Sequence, residues 1–284
     1  MTWEKKRVLV TVTAYPEKSK KYGQVVCTIG LTEEGDWIRL YPVPFNVFSG
    51  PQKLRKYDWI EVECKRAEEK LSRKESYRIR NASLKIVDRS LSLGKIKGKV
   101  DWNERNRLLL SHVAPSLEDL KAKFDEDRTS IGLIKPAEVL EFYKKGDLQI
   151  YQDPKVFQQS LFGTKIPEIE EIPHLFGYRF RCNGCQKGKE HNIQCEDWEL
   201  FESYRRWGMR YDDLNLLWEK LQDKYYKSMV GSDLYFYVGT FSQFPTWLIV
   251  GLYYPPRQPA IPIKSQNRTL DELFGQNLKN DLTG

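Results

Sequence analysis

Histidine is scarce in this chain, with three in 284 residues, and cysteine is little commoner, with five. Long apolar runs are missing: a membrane-crossing helix needs ~18 residues, and the longest candidate, Trp247 to Tyr254, is only strand length. A soluble globular protein is expected, without a membrane partner. The opening Met1-Thr2-Trp3-Glu4-Lys5-Lys6-Arg7 lacks the apolar core of a signal peptide. An odd number of cysteines leaves a thiol over, which argues against a disulfide framework, so the cytoplasm is the expected location. Also missing is a helix rich in Arg and Lys of the kind that reads a DNA groove.

Three of the five cysteines and one of the three histidines fall within fourteen positions. Cys182-Asn183-Gly184-Cys185 is followed by His191 and then Cys195. A C-x2-C turn offers two thiolates from one tight loop, Gly184 supplies a permissive backbone, and His191 with Cys195 would complete a tetrahedral zinc shell. With four protein ligands no position is left for substrate, so such a zinc would be structural. The alternative is that the cysteines end a strand and His191 is simply packed. His112 and His174 have no partner visible from spacing.

The net charge of +7 is unevenly placed. Residues 1–100 hold 22 Lys plus Arg against 12 Asp plus Glu, giving +10, and the remainder hold 24 against 27, giving −3. The basic clusters at Lys5 to Arg7, Lys18 to Lys21, Lys53 to Lys56 and Lys95 to Lys99 sit at the edges of apolar runs. A polyanion is the partner this pattern suggests, against the simpler reading of a solvated surface.

Periodicity gives an α+β chain. Arg7 to Thr13, Val25 to Leu31, Trp37 to Pro42, Trp59 to Lys65 and Leu84 to Val87 read as strands, five in about ninety residues, which predicts a small OB-like β-barrel over 1–95. A second OB-like β module with a helical insertion is expected over 96–165, its helices at Asp101 to His112 and at Ser116 to Asp127, the latter N-capped by Ser116. Strands are expected near Ser130 to Ile134 and Glu138 to Tyr143, and a short helix at Pro154 to Phe162. Residues 166–254 read as a mixed α/β unit around the cysteine knuckle: strands at His174 to Cys182, Leu234 to Val238 and Trp247 to Tyr254, and helices from Glu196 and from Tyr211 to Ser228. Residues 255–284 read as a linker and tail.

Arg7-Val8-Leu9-Val10, the segment Gly23 to Gly30, and Gly35-Asp36-Trp37-Ile38-Arg39-Leu40 resemble the opening of the dual-OB-domain proteins of bacteria and archaea. Ile172 to Phe180 and Asp197-Trp198-Glu199 resemble segments of uncharacterised proteins with that N-terminus. The resemblance implies two OB-like barrels and nucleic-acid binding in mobile-element or defence settings, and it supplies no catalytic residues.

For the first barrel, single-stranded DNA or RNA is a better match than duplex. Trp37, Arg39 and Tyr41 alternate along one strand and so share a face, placing a stacking ring beside a guanidinium, with Lys20, Lys21, Lys53, Arg55 and Lys56 available to phosphates. The competing reading is that Trp37 packs internally and Arg39 forms an internal ion pair. Asp36 or Asp58 with Glu63-Cys64-Lys65 imitates a Mg²⁺-dependent nuclease constellation, although Glu61, Glu63 and Lys65 are also the polar face of an alternating strand. A third class is an adaptor: Asn267, Leu270 and Leu273-Phe274 in the tail, like Gln158 to Phe162, resemble sliding-clamp-binding peptides.

Overall fold

The computed structural model describes residues 2–19, 23–48, 53–67, 73–94, 100–146, 176–241 and 246–257. The first sheet holds β1 (Glu4–Thr13), β2 (Glu17–Ser19), β3 (Gly23–Thr32), β4 (Trp37–Pro44), β5 (Trp59–Arg66), β6 (Ser76–Ile79) and β7 (Lys85–Asp88). Five of these close on themselves in the order β1-β3-β4-β6-β5, with β5 returning to β1 through pairs such as Val8↔Ile60. The long β1 makes this possible, its first half pairing with β5 and its second half with β3. Every pair in the ring is antiparallel except β4 with β6. This is the five-stranded Greek-key barrel expected at the N-terminus.

Alternation explains what fills it. Ile60, Val62 and Cys64 on β5 are fully buried, together with Val8, Val10, Ile38 and Leu40. Gly35, at φ +90°, closes the β3–β4 turn in a conformation that other residues rarely adopt. One strand assignment needs correction. The fifth barrel strand is Ser76–Ile79, whereas the segment at Leu84 to Val87 forms β7, which pairs with β5 outside the ring.

A short helix α1 (Ser90–Leu93) and α2 (Trp102–Leu109), the latter N-capped by Asp101, lead out of the barrel. The second sheet contains β8 (Val113–Ala114), β9 (Ile131–Ile134), β10 (Pro136–Lys144), β11 (Phe176–Cys182), β12 (His191–Cys195), β13 (Tyr235–Phe241) and β14 (Thr246–Tyr253). Its order is β10-β11-β12-β14-β13-β9-β8. Only Lys135 separates β9 from β10, so one bent strand runs along β13 and then along β11, and the sheet curls. Counting β9 with β10 as a single strand, the connections repeat those of the first barrel, down to the parallel third-to-fifth pair β12–β14. The strands before and after residues 147–175 thus share one sheet, so the second β module and the α/β unit are built on a common core.

Helices also pack on this half. Helix α3 (Leu117–Asp127) starts where Ser116 accepts the Asp119 N–H, and α4 (Trp198–Gly208) starts where Asp197 accepts the Leu200 N–H. Helix α5 (Leu214–Gln222) continues into a wider π-helical turn, Asp223–Ser228. They pack Leu120, Leu200, Phe201, Tyr204, Leu217 and Leu221 onto an aromatic interior that includes Phe142, Phe176, Tyr178, Phe180 and Phe236.

The two curled sheets meet through their outer faces. Leu9, Ile29 and Leu31 of the first pack with Ile131, Leu133, Tyr235, Tyr237 and Val250 of the second. Strands β9, β13 and β14 are therefore covered on both faces, which explains their near-continuous apolar sequence. Full burial of a side chain of this size contributes roughly 1.5–3 kcal/mol, so this contact fixes the two halves firmly. No helix among the described residues is long and apolar enough to cross a membrane.

Candidate functional site: the inter-barrel cleft and the cysteine knuckle

The surface expected to receive bases is occupied by the second sheet. Arg39 is 4% exposed, and its guanidinium donates to the Ser130 carbonyl at 3.3 Å and to Cys27 Sγ at 3.4 Å. Trp37 packs edge-on against Tyr237 at 6.1 Å and His112 at 5.8 Å. Alternation placed Trp37 and Arg39 on one face correctly, but that face joins the two halves, and only Tyr41, 40% exposed, faces outward. Lys20 and Lys21 lie outside the described residues.

Lys53, Arg55 and Lys56 come together elsewhere. They line a cavity of about 540 Å³ between the two halves, with Tyr57, Trp102 and Arg105 from the first and Trp198, Glu199, Tyr253 and Tyr254 from the second. Among the described residues, four cations and one carboxylate thus line the cavity among aromatic rings. Arg105 is nearly buried, with its guanidinium carbon 4.0 Å from the Tyr57 ring centroid and 5.0 Å from that of Trp102, while its Nε donates to the Leu91 carbonyl at 2.8 Å. Burial pulls the Arg105 pKa down, though not far enough to discharge a guanidinium.

Lys56 Nζ donates to the Leu252 carbonyl at 2.6 Å and lies 4.0 Å from Asp197 Oδ2. Burial disfavours its charge, but the nearby carboxylates of Glu199 and Asp197 outweigh this and hold its pKa above the ordinary lysine value. Asp197 also accepts the Leu252 N–H at 3.0 Å, so the cap of α4 ties the helix to β14. Sequence reading found the three cations on 53–56; Arg105 and the aromatic wall carry no local signal, because they are gathered from distant segments.

The second candidate is the knuckle. Cys182 ends β11, Cys185 lies in the turn and His191 begins β12, and one donor atom from each falls within 4.8 Å of the others. Cys185 Sγ is 3.2 Å from His191 Nε2. Burial pushes the Cys182 thiol up to about 12, opposed by a backbone hydrogen bond from Leu117 at the start of α3. Gly184 permits this docking, since a Cβ there would lie 3.1 Å from the Pro115 carbonyl oxygen. Cys195 is a correction. It stands four residues beyond His191 on the same strand, a rise of roughly 13 Å, and is buried in the aromatic interior. Missed altogether was Glu118 of α3, whose Oε2 lies 3.2 Å from His191 Nε2 and contacts Cys185 Sγ.

The nuclease constellation is not assembled. Glu63 pairs with Arg80 at 2.6 Å, and the buried Asp58 accepts from the Arg55 N–H at 2.9 Å and from Ser92 Oγ. Five residues of extended chain separate Asp58 from Glu63, roughly 16 Å. Asp36 sits in the β3–β4 turn, its N–H donating to Thr32 Oγ1 at 3.2 Å. His174, Gln158 to Phe162 and the tail segment 267–274 lie outside the described residues.

Two family models cover nearly the whole chain. The domain of unknown function DUF8758 matches residues 4–111, and the domain of unknown function DUF8757 matches residues 112–274, which is 163 of the 284 residues. The junction falls where α2 and its 3-10 extension give way to β8, the passage from the first sheet to the second. No curated protein matches the chain.

Proposed function

We propose that this chain, which belongs to the DUF8757 family, is a non-catalytic nucleic-acid-binding protein that takes a single strand into the inter-barrel cleft. The observation that carries the reading is the cleft's lining, in which, among the described residues, four cations are interleaved with aromatic rings and Glu199 is the one lining carboxylate, with Asp197 behind Lys56. Cations follow phosphates and ring faces stack bases whatever their sequence. The cavity's size falls in the range that encloses one small ligand, which suits a splayed nucleotide better than a paired duplex. The Cys182, Cys185 and His191 donors hold a structural zinc in this reading, at a spacing compatible with Zn–S bonds of ~2.3 Å and Zn–N bonds of ~2.0 Å.

The test is a salt titration of binding to labelled single-stranded DNA, single-stranded RNA and duplex, with and without Mg²⁺, followed on a gel for cleavage. Salt-sensitive binding to a single strand without cleavage is expected. Absence of binding to all three forms overturns the reading, and Mg²⁺-dependent cleavage lost in Glu63→Ala would replace it with a nuclease. Metal analysis of the purified protein is expected to give one zinc per chain.

A further inference from the structure

We propose that Glu118 is the fourth ligand of the knuckle's zinc, making the shell Cys182, Cys185, His191 and Glu118. This rests on the zinc reading above and sharpens it. Three donors from the β11–β12 connection leave one corner of a tetrahedron open, and the first turn of α3 brings a carboxylate against two of the three. Glu118 Oε2 lies 3.2 Å from His191 Nε2 and contacts Cys185 Sγ. Three donor groups converging this closely is the arrangement that a shared cation produces.

The other carboxylate oxygen is already engaged. Oε1 lies 2.9 Å from Lys189 Nζ and 3.5 Å from Lys121 Nζ. One oxygen thus faces the ligand cluster while its twin is held by two lysines, the outer-shell arrangement that orients a monodentate carboxylate. The charges agree. Two thiolates and a carboxylate against Zn²⁺ leave −1, and Lys189 and Lys121 stand beside that excess. The cluster also sits against the start of α3, where backbone N–H groups favour negative charge, and the Leu117 backbone bond to Cys182 is of that kind. Sequence spacing favours Cys195 for this corner, but the strand carries it away.

The decisive measurement is zinc K-edge X-ray absorption on the purified full-length protein. The expected shell is two sulfur and two nitrogen or oxygen neighbours; three sulfurs and one nitrogen overturn the assignment while leaving zinc itself intact. Chelator competition on variants supplies the second readout. Glu118→Ala should weaken zinc affinity by more than ~100-fold, beyond the range that loss of an outer-shell partner costs, whereas Cys195→Ser should leave affinity and stoichiometry unchanged. A smaller loss, or none, refutes the proposal. Should Glu118→Ala fail to fold, the isosteric Glu118→Gln takes its place in the competition and is judged by the same threshold. A protein purified without zinc, and unable to bind added Zn²⁺, overturns the zinc reading as a whole.

Discussion

Replacing Lys53 and Arg55 together by alanine tests the cleft without dismantling it. Of the four lining cations, Lys56 and Arg105 are engaged by the Leu252 and Leu91 carbonyls, so their loss would disturb the walls as well as the charge. Lys53 and Arg55 belong to the connection between β4 and β5, where, among the described residues, their backbones make the supporting bonds: Arg89 donates to the Lys53 carbonyl, and the Arg55 N–H to Asp58. Each phosphate neutralised on a single strand contributes a slope of ~−0.7 to log affinity against log salt. Two lost contacts should therefore flatten the slope by ~1.4, so that between about 50 and about 200 mM salt the wild type loses ~7-fold more affinity than the variant. Fluorescence anisotropy of a labelled oligonucleotide across that range measures it directly. A variant with the parent's slope and affinity would show that the strand does not lie in the cleft, and the argument from its lining would fail.

Trp37→Ala should lower stability by about 2 kcal/mol through loss of the ring contacts with Tyr237 and His112, below the ~3–5 kcal/mol of fully buried aromatic deletions because the ring is only partly buried. In chemical denaturation the midpoint should fall, while the oligonucleotide affinity of the folded variant should hold; lost affinity without lost stability would return the ligand to that face. Gly30→Ala should cost at least ~3 kcal/mol, because the added Cβ would lie 2.4 Å from the Leu9 carbonyl oxygen, a backbone atom with no room to give. A urea midpoint close to that of the parent would contradict this packing. His112 is partly buried beside Trp37, and desolvation, only partly offset by Asp36, lowers its pKa below 6.5. The unfolded chain then binds the proton more readily, so the His112 contribution is fully present above pH ~6.5 and is lost as pH falls through the folded value. An NMR titration of the His112 ring with a midpoint at or above the free value would refute it.

Much of the local structure is legible in the residues. The alternation of Trp59 to Lys65 fixes which side chains of β5 are interior, and Ser116 and Asp197 mark the helix starts at which they act as caps. Less legible is the fifth barrel strand: Ser76–Ile79 has only four residues, and its place is set by pairing with Arg39–Leu40 and Cys64–Arg66, far away in sequence. Trp37 and Arg39 show the limit of periodicity. It says that two side chains share a face, but not whether solvent or a second sheet covers that face. The knuckle shows the same limit. C-x2-C and His191 are a local pattern, whereas the choice between Cys195 and Glu118 depends on the rise of one strand and on how α3 docks.

The cleft's two walls occupy corresponding places in the repeated connectivity. In each half the chain between the third and fourth strands of the ring supplies a wall, residues 48 and 53–57 in the first and the segment opening α4 in the second. These connections touch directly, Phe45 and Trp198 lying 5.6 Å apart between ring centroids. One wall brings the positive charge and the other brings rings and a carboxylate, so neither half possesses the pocket by itself. Such a pocket can be retuned by altering a single connection while the barrel and the curled sheet stay as they are. Conversely, shuffling either half onto an unrelated neighbour would abolish the pocket and uncover the apolar faces through which the two sheets meet.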